Sequence, residues 1–406
     1  MITNRREEEI HIKQFPILQE ASPVTGRSAI RAINQYVILD RIYQNDGISK
    51  AQLAKELGIS KPAVSSNVAN LLSSGLVLEK GEGESSASGG RKPVMLYFNE
   101  QYSYVGVIDL SFQAPVCTVC DMKYRMIGLE KIGVEEGLST EAWRQRVKQA
   151  FLKIFFDANI PAEKLGVVII SQPGISRDGL ETNYLPPLHH AKADAQLRPF
   201  LQQELAVPVI IKNNVNLAAV GEVHFGTGER LENLVYISCG TALSAGMIIQ
   251  GRLYEGSHCA AGEIGFLLRY DGRHAEKGVT ADALTGLAQK LYAENGKNEA
   301  LSFPLIVERL NSGDPLIEQA VYETGNELGR IIQNCCVLLD ISTVIFGGDY
   351  LALGPVLFKG IRDFVERTTI SRHELIPSAL KDTASLYGGF VVGKETILSV
   401  LMDNKI

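Results

Sequence analysis

Apolar positions change their spacing repeatedly along this chain, and the first coherent change lies between residues 48 and 93. Ser49, with Gln52 three residues on, forms a capping box that predicts a short helix burying Leu53 and Leu57 and stopping at Gly58. Ser60 caps a second helix with Pro62 in its first turn; Val64, Val68, Leu71 and Leu72 fall at i, i+4, i+7 and i+8, and Gly75 ends it. The runs 76–78 and 94–98 are strand-like, and the Gly/Ser-rich segment between them reads as a mobile hairpin wing. Upstream, Ile30, Ile33 and Val37 predict a helix that ends before Asn45-Asp46-Gly47. Beyond residue 104 the pattern becomes β then α: strand-like runs 105–110, 116–119, 165–171, 207–212, 234–238 and 343–346 alternate with helix-length segments that include 141–157 and 281–294. That alternation predicts an α/β body of two lobes, with a ligand cleft at the C-terminal ends of its strands.

Two short helices joined by a tight turn have the layout of a helix-turn-helix whose second helix enters the major groove. Lys61, Ala63, Ser65, Ser66, Asn67 and Asn70 on that helix, with Lys50 at the start of the preceding one, are the candidate contacts to bases and phosphates. At the far end of the wing, Arg91 and Lys92 can reach phosphates or a narrow minor groove, where cationic side chains are favoured. An ordinary helical hairpin with a solvated loop is the bland alternative. It leaves the coincidence of capping box, helix spacing and basic wing unexplained.

Charge is divided along the chain. The 406 residues carry a net charge of −6, but residues 1–98 hold 12 Lys and Arg against 10 Asp and Glu, or +2, leaving −8 for the remainder. A slightly basic reader carried on an acidic body fits DNA binding by one end only. No apolar run approaches the ~18 residues of a membrane span, so a cytoplasmic protein without a membrane partner is expected. Cys117 and Cys120, and the pair Cys335-Cys336, lie in apolar runs and read as buried, reduced thiols. The expected organisation is a polar arm over 1–27, a winged helix-turn-helix over 28–98 and a two-lobed body over 99–406.

Several short motifs then fall in a telling order. The helix-turn-helix with its G-G-R-K-P wing, Asp109-Leu110, Gln172-Pro173-Gly174, Asn213-Asn214-Val215-Asn216, Gly262-Glu263-Ile264-Gly265 and Phe346-Gly347-Gly348 together resemble the ROK family of sugar kinases and sugar-responsive repressors. The resemblance implies an actin-like, sugar-kinase fold, and the N-terminal helix-turn-helix is a feature of the repressor branch. Departures from the family pattern imply a chain that is not an enzyme. Where ROK kinases carry D-x-G-G-T, letting the backbone approach ATP phosphates, this chain has Asp109-Leu110-Ser111-Phe112-Gln113. Their G-T-G-x-G is replaced by Gly240-Thr241-Ala242-Leu243-Ser244. Their catalytic aspartate is Asn214, and an amide cannot act as a general base. The family's structural zinc uses one histidine and three thiolates. Here Phe266 replaces the histidine, no cysteine follows Cys259 before Cys335, and the intervening loop is short, so no metal or other cofactor is expected.

What remains suits a small polyol. Asn213 and Asn214, at a strand end and helix start, Glu263 in a glycine-flanked turn, and Phe266 are the candidate effector contacts. Alternatively Asn214 or Asn216 only caps the helix and Glu263 only forms an ion pair. No glutamate is found at the family's second sugar-binding position, where Ala281 or Asp282 falls. The expectation is a homodimeric, or higher homo-oligomeric, repressor of carbohydrate genes that binds operator DNA and is released by a small-molecule effector: a sugar, one different from the family's common hexoses such as a pentose, or else a molecule that is not a sugar. The rivals are a ROK sugar kinase with an appended reader, a repressor controlled by a protein partner, and an activator with the same reader.

Overall fold

The computed structural model describes residues 27–82, 92–111, 115–133, 135, 138–177, 181–184, 196–228, 231–368 and 373–403. The N-terminal unit contains α1 (Arg27–Tyr43), β1 (Ile48–Ser49), α2 (Lys50–Leu57), α3 (Lys61–Ser73), β2 (Val77–Glu82) and β3 (Val94–Phe98). Its sheet is antiparallel, in the order β1-β3-β2, which makes it a winged helix. The caps act as their residue types dictate. Ser49 Oγ accepts the Gln52 amide at 3.2 Å while Gln52 Oε1 accepts the Ser49 amide at 3.0 Å, and Gly58 closes α2 at φ 65. Ser60 Oγ accepts the Ala63 amide to start α3.

The stripe expected on α1 is out of phase. Ile33 is 45% exposed and Val37 only half-buried, while Tyr36, Ile38, Leu39 and Ile42 are buried. The helix packs on the other reader elements, and its Tyr36, Leu39, Asp40 and Tyr43 also meet Lys394 and Leu398 of the last helix, so its buried face is wider than one amphipathic stripe.

The first lobe comprises β4 (Tyr104–Asp109), β5 (Val116–Asp121), β6 (Met126–Lys131), α4 (Thr140–Asp157), β7 (Leu165–Gln172), β8 (Ile175–Arg177), β9 (Glu181–Tyr184), α5 (Leu197–Leu205), β10 (Val209–Asn213) and α6 (Asn214–Phe225). The second comprises β11 (Leu234–Cys239), β12 (Leu243–Ile249), β13 (Arg252–Leu253), α7 (Glu276–Val279), α8 (Ala281–Glu294), α9 (Phe303–Asn311), α10 (Pro315–Leu339), β14 (Thr343–Gly347), α11 (Gly354–Thr368) and β15 (Glu374–Pro377). The two main sheets, β10-β7-β4-β5-β6 and β15-β14-β11-β12-β13, have one topology. In each, the first strand is central, with two antiparallel hairpin strands on one side and two parallel strands on the other.

The last helix, α12 (Ala384–Asp403), returns from the second lobe to pack on β4, β7 and α6. Its crossing with α6 is a backbone contact: a Cβ on Gly388 would overlap the Leu217 carbonyl, and one on Gly221 would overlap the Ala384 carbonyl. Reader and first lobe share one apolar cluster, in which Ile38, Ile42, Leu71 and Phe98 are continuous with Val105, Met122, Phe390 and Leu398. Cys117, Cys120, Cys335 and Cys336 are buried free thiols, as their apolar settings implied.

Candidate DNA interface and effector cleft

On α3, Lys61, Ser65 and Ser66 are exposed, as a recognition helix requires, and Ala63 and Asn70 are half-buried. Asn67 is not available as a base contact. It is 4% exposed and its Nδ2 donates to the Ala63 carbonyl at 2.9 Å. The reason is periodicity: Val64, Asn67, Val68 and Leu71 share the inward face, and the outward position beside Ser65 and Ser66 belongs to Ala69. Lys50 forms a surface ion pair, with Nζ 3.0 Å from Glu79 of β2. Lys92 is exposed, and Arg91 lies outside the described residues.

The candidate cleft is the region at the C-terminal ends of β4, β7, β10 and β11, where the strand order places it. Asn213 closes β10 and caps α6: Oδ1 accepts the Val215 and Asn216 amides at 2.8 and 3.0 Å, and Nδ2 donates to the Gly174 carbonyl at 2.9 Å. The cap is therefore Asn213 itself, rather than Asn214 or Asn216. Asn214 is half-buried in the first helical turn. Asn216 is 5% exposed, and its Oδ1 has no hydrogen-bond partner among the described residues, which makes it a further acceptor near the strand end.

Across the cleft, Glu263 opens a short 3-10 turn after Gly262, whose φ of 89 and contact with the Ala245 carbonyl exclude any side chain. Burial, then the charge of Glu276, raises the Glu263 carboxyl above its ordinary value. Glu276, the first residue of α7, is a second carboxylate beside this turn; a Cβ on Gly265 would sit 3.4 Å from its Oε2. Asp282 and Ala281 stand elsewhere: the Ala281 amide donates to the Gly240 carbonyl at 2.8 Å, and Asp282 lies near Tyr350. Phe266 is 39% exposed and meets the His274 ring edge-on at 5.2 Å. The lobes are joined at this level by Lys212 and Glu255 at 3.0 Å.

At the ends of β4 and β11, internal carboxylates meet the protein's own groups. Asp109 is fully buried, and its carboxylate accepts the Ser111 amide at 2.8 Å and the hydroxyls of Ser111, Ser171 and Ser385. Burial raises its carboxyl, against those hydrogen bonds. At the second turn, a Cβ on Gly240 would overlap Asp349 Oδ2, and the Asp349 carboxylate accepts the Thr241 amide. Burial, then the charge of Asp382, raises the Asp349 carboxyl, against that hydrogen bond. Phe112 lies outside the described residues. The donors present do not fit a zinc centre: Cys259 is half-buried, His274 is packed on Phe266, and no group of three His, Cys, Asp or Glu side chains is placed to hold a metal among the described residues.

Fold and cleft together define a winged-helix reader fused to a duplicated, sugar-kinase-like body. The sequence model of the ROK family matches residues 116–396, and that of the MarR family matches residues 31–92. The chain belongs to the ROK family. The xylose repressor of Bacillus spizizenii is 27% identical over 93% of this chain and 99% of its own length, and that of Bacillus subtilis is 27% identical over 90% and 96%. The crystal structure of a ROK family transcriptional regulator, a homolog of the E. coli MLC protein, superposes with a TM-score of 0.76 at 20% identity, covering 93% of this chain and 98% of that one. A ROK glucokinase from Streptomyces griseus in complex with glucose and AMPPNP has a TM-score of 0.60 at 21% identity over 72% of this chain, which is likeness of fold in the body alone.

Proposed function

We propose that this chain is a homodimeric transcriptional repressor that reads operator DNA through α3 and its wing and is released by a sugar bound between Asn213 and Glu263. What supports the reading is the coexistence of an exposed Lys61-Ser65-Ser66 face with a ROK body in which Asp349 faces the Gly240 turn. Such a body binds but does not phosphorylate. The similarity to xylose repressors, which extends through the reader, supports D-xylose as the first effector to try. Asn214, Asn216 and Glu276 complete the polar lining, and no zinc is required. No helix among the described residues is long and apolar enough to cross a membrane.

The mechanism is linkage. A sugar that favours the closed cleft releases DNA only to the extent that it binds the DNA-incompetent arrangement of the two readers more tightly. Fluorescence anisotropy on DNA from around its own coding sequence, at fixed salt, with D-xylose, D-glucose and phosphosugars, tests both halves. Specific binding that D-xylose weakens is the expected result. Specific binding that no sugar changes would remove the sugar effector, and turnover in a coupled ATPase assay would overturn the inert cleft.

A further inference from the structure

Lys394 on α12 is 1% exposed, a costly place for an ammonium. Its Nζ lies 3.5 Å from the centroid of the Tyr43 ring and 4.3 Å from that of Tyr124. Tyr43 is the last residue of α1 in the reader, and Tyr124 belongs to the turn between β5 and β6 in the first lobe. One side chain of α12 is therefore held between two π faces that come from different units. Burial pulls Lys394 down to about 7, while Glu395 beside it, Asp40 on α1 and Cys120 on β5 favour its charged form.

Tyr124 is in the left-handed region, at φ 65, where a bulky aromatic is rarely found. Asp121 braces that turn, accepting the Lys123 and Arg125 amides at 2.9 Å each. Strain is thus retained at the residue whose ring covers Lys394. Ring contacts continue on both sides. Tyr43 meets Phe98 of β3 at 5.0 Å; Tyr124 meets Phe225 at 5.1 Å, and Phe225 meets Tyr387 of α12 at 5.3 Å. Phe225 is the last residue of α6, whose first turn is capped by Asn213 in the cleft. The cleft and the Lys394 cage are opposite ends of one twelve-residue helix that is locked to α12 through glycine.

Resting on the effector reading above, we propose that Lys394, gripped between Tyr43 and Tyr124, is the positioning residue that passes movement of α6 and α12 to the DNA reader. The two-state element is the α1–α12 contact: docked while the cage is closed, loosened when α12 shifts.

Three full-length variants test this. Lys394→Met removes the charge and keeps the stem, Tyr43→Leu removes the π face and keeps the bulk, and Tyr43→Phe keeps the ring as the conservative control. Operator anisotropy with and without D-xylose, D-xylose titration calorimetry and hydrogen exchange over residues 33–43 are read together. Lys394→Met and Tyr43→Leu are expected to bind D-xylose within about twofold of the parent, yet to lose about tenfold of the sugar-driven operator release. Their α1 amides should exchange about tenfold faster, the double variant should be no worse than either single, and Tyr43→Phe should match the parent. Full sugar-driven release in both variants overturns the proposal. Should the parent itself not answer to D-xylose, the effector assignment fails separately, and exchange decides: unchanged α1 protection in both variants overturns the joint, and faster exchange supports it. If Lys394→Met does not fold, Tyr43→Leu carries the same decision.

Discussion

Lys212 Nζ lies 3.0 Å from Glu255 Oε1, and this pair ties the strand that leads into Asn213 to the opposite lobe. Both side chains are about three-quarters to two-thirds buried, so the pair sits between a rim contact and a core one. Lys212→Met should loosen lobe closure and weaken D-xylose binding by up to about fivefold, the range of a partly screened ion pair, with the fold intact. Titration calorimetry reads this directly. An unchanged affinity would mean that closure does not involve the pair.

On the DNA side, Lys61→Ala should weaken binding to operator and to random DNA alike and reduce the salt slope by about 1, as loss of one phosphate contact requires. Ala69→Glu should abolish operator binding, because it places a carboxylate on the outward face beside Ser65 and Ser66. Asn67→Ala should lower the melting temperature and leave base preference unchanged, since its amide already serves the Ala63 carbonyl. Altered sequence preference in Asn67→Ala, measured by competition with operator variants, would return it to the interface.

At the phosphate turn, Gly240→Ala should destabilise the fold by about 1–3 kcal/mol, the usual range for overpacking, because the new methyl meets Asp349. Adding Asp349→Ala should recover most of that loss, a non-additivity that urea denaturation can measure. Neither variant should phosphorylate a sugar, since Asn214 supplies no base. Phosphorylation by the Asp349→Ala protein would show that occupation of the turn alone keeps the cleft silent.

The Glu263–Glu276 pair predicts a pH dependence. With the Glu263 carboxyl raised by burial and by Glu276, the folded protein holds more protons than the unfolded chain just above the ordinary glutamate range. The contribution of Glu263 to stability therefore falls as pH rises through that interval. A sugar hydroxyl donating to Glu263 favours the ionised form, so binding should release protons and tighten with rising pH there. Calorimetry in buffers of different ionisation enthalpy measures the release. Glu263→Gln should abolish the release and weaken sugar binding while leaving the fold at least as stable.

How far the residues alone reveal this molecule depends on the range over which each constraint acts. The helix-turn-helix is set by neighbours three or four positions apart, and Ser49, Gln52, Gly58 and Ser60 place its helices to within a residue. The phase of α1 is not local, because α12, some 350 positions away in the chain, takes part in burying it. Strands β6, β13 and β15 carry half-exposed side chains, and β12 is interrupted by Gly246, so none stands out as an apolar run. The duplication of the two sheets leaves no trace as a sequence repeat; it survives as strand order. The placement of Asn213 at a strand end and of Glu263 in a glycine-flanked turn is legible locally. The approach of Glu276 to Glu263 is not, because it comes from a separate helix. Asp349 reaches Gly240 from the end of a different strand, which no local spacing reveals.

Where α6 crosses α12, Gly221 and Gly388 leave only main chain against main chain. Side chains repack when sequences drift, but a contact with no side chains has nothing to repack. The recognition face of α3 and the lining of the cleft can each be rewritten by substitution, toward another operator or another small molecule, while the crossing that links them stays fixed. Input and output can thus be exchanged separately, while a side chain at either glycine would force the two helices apart.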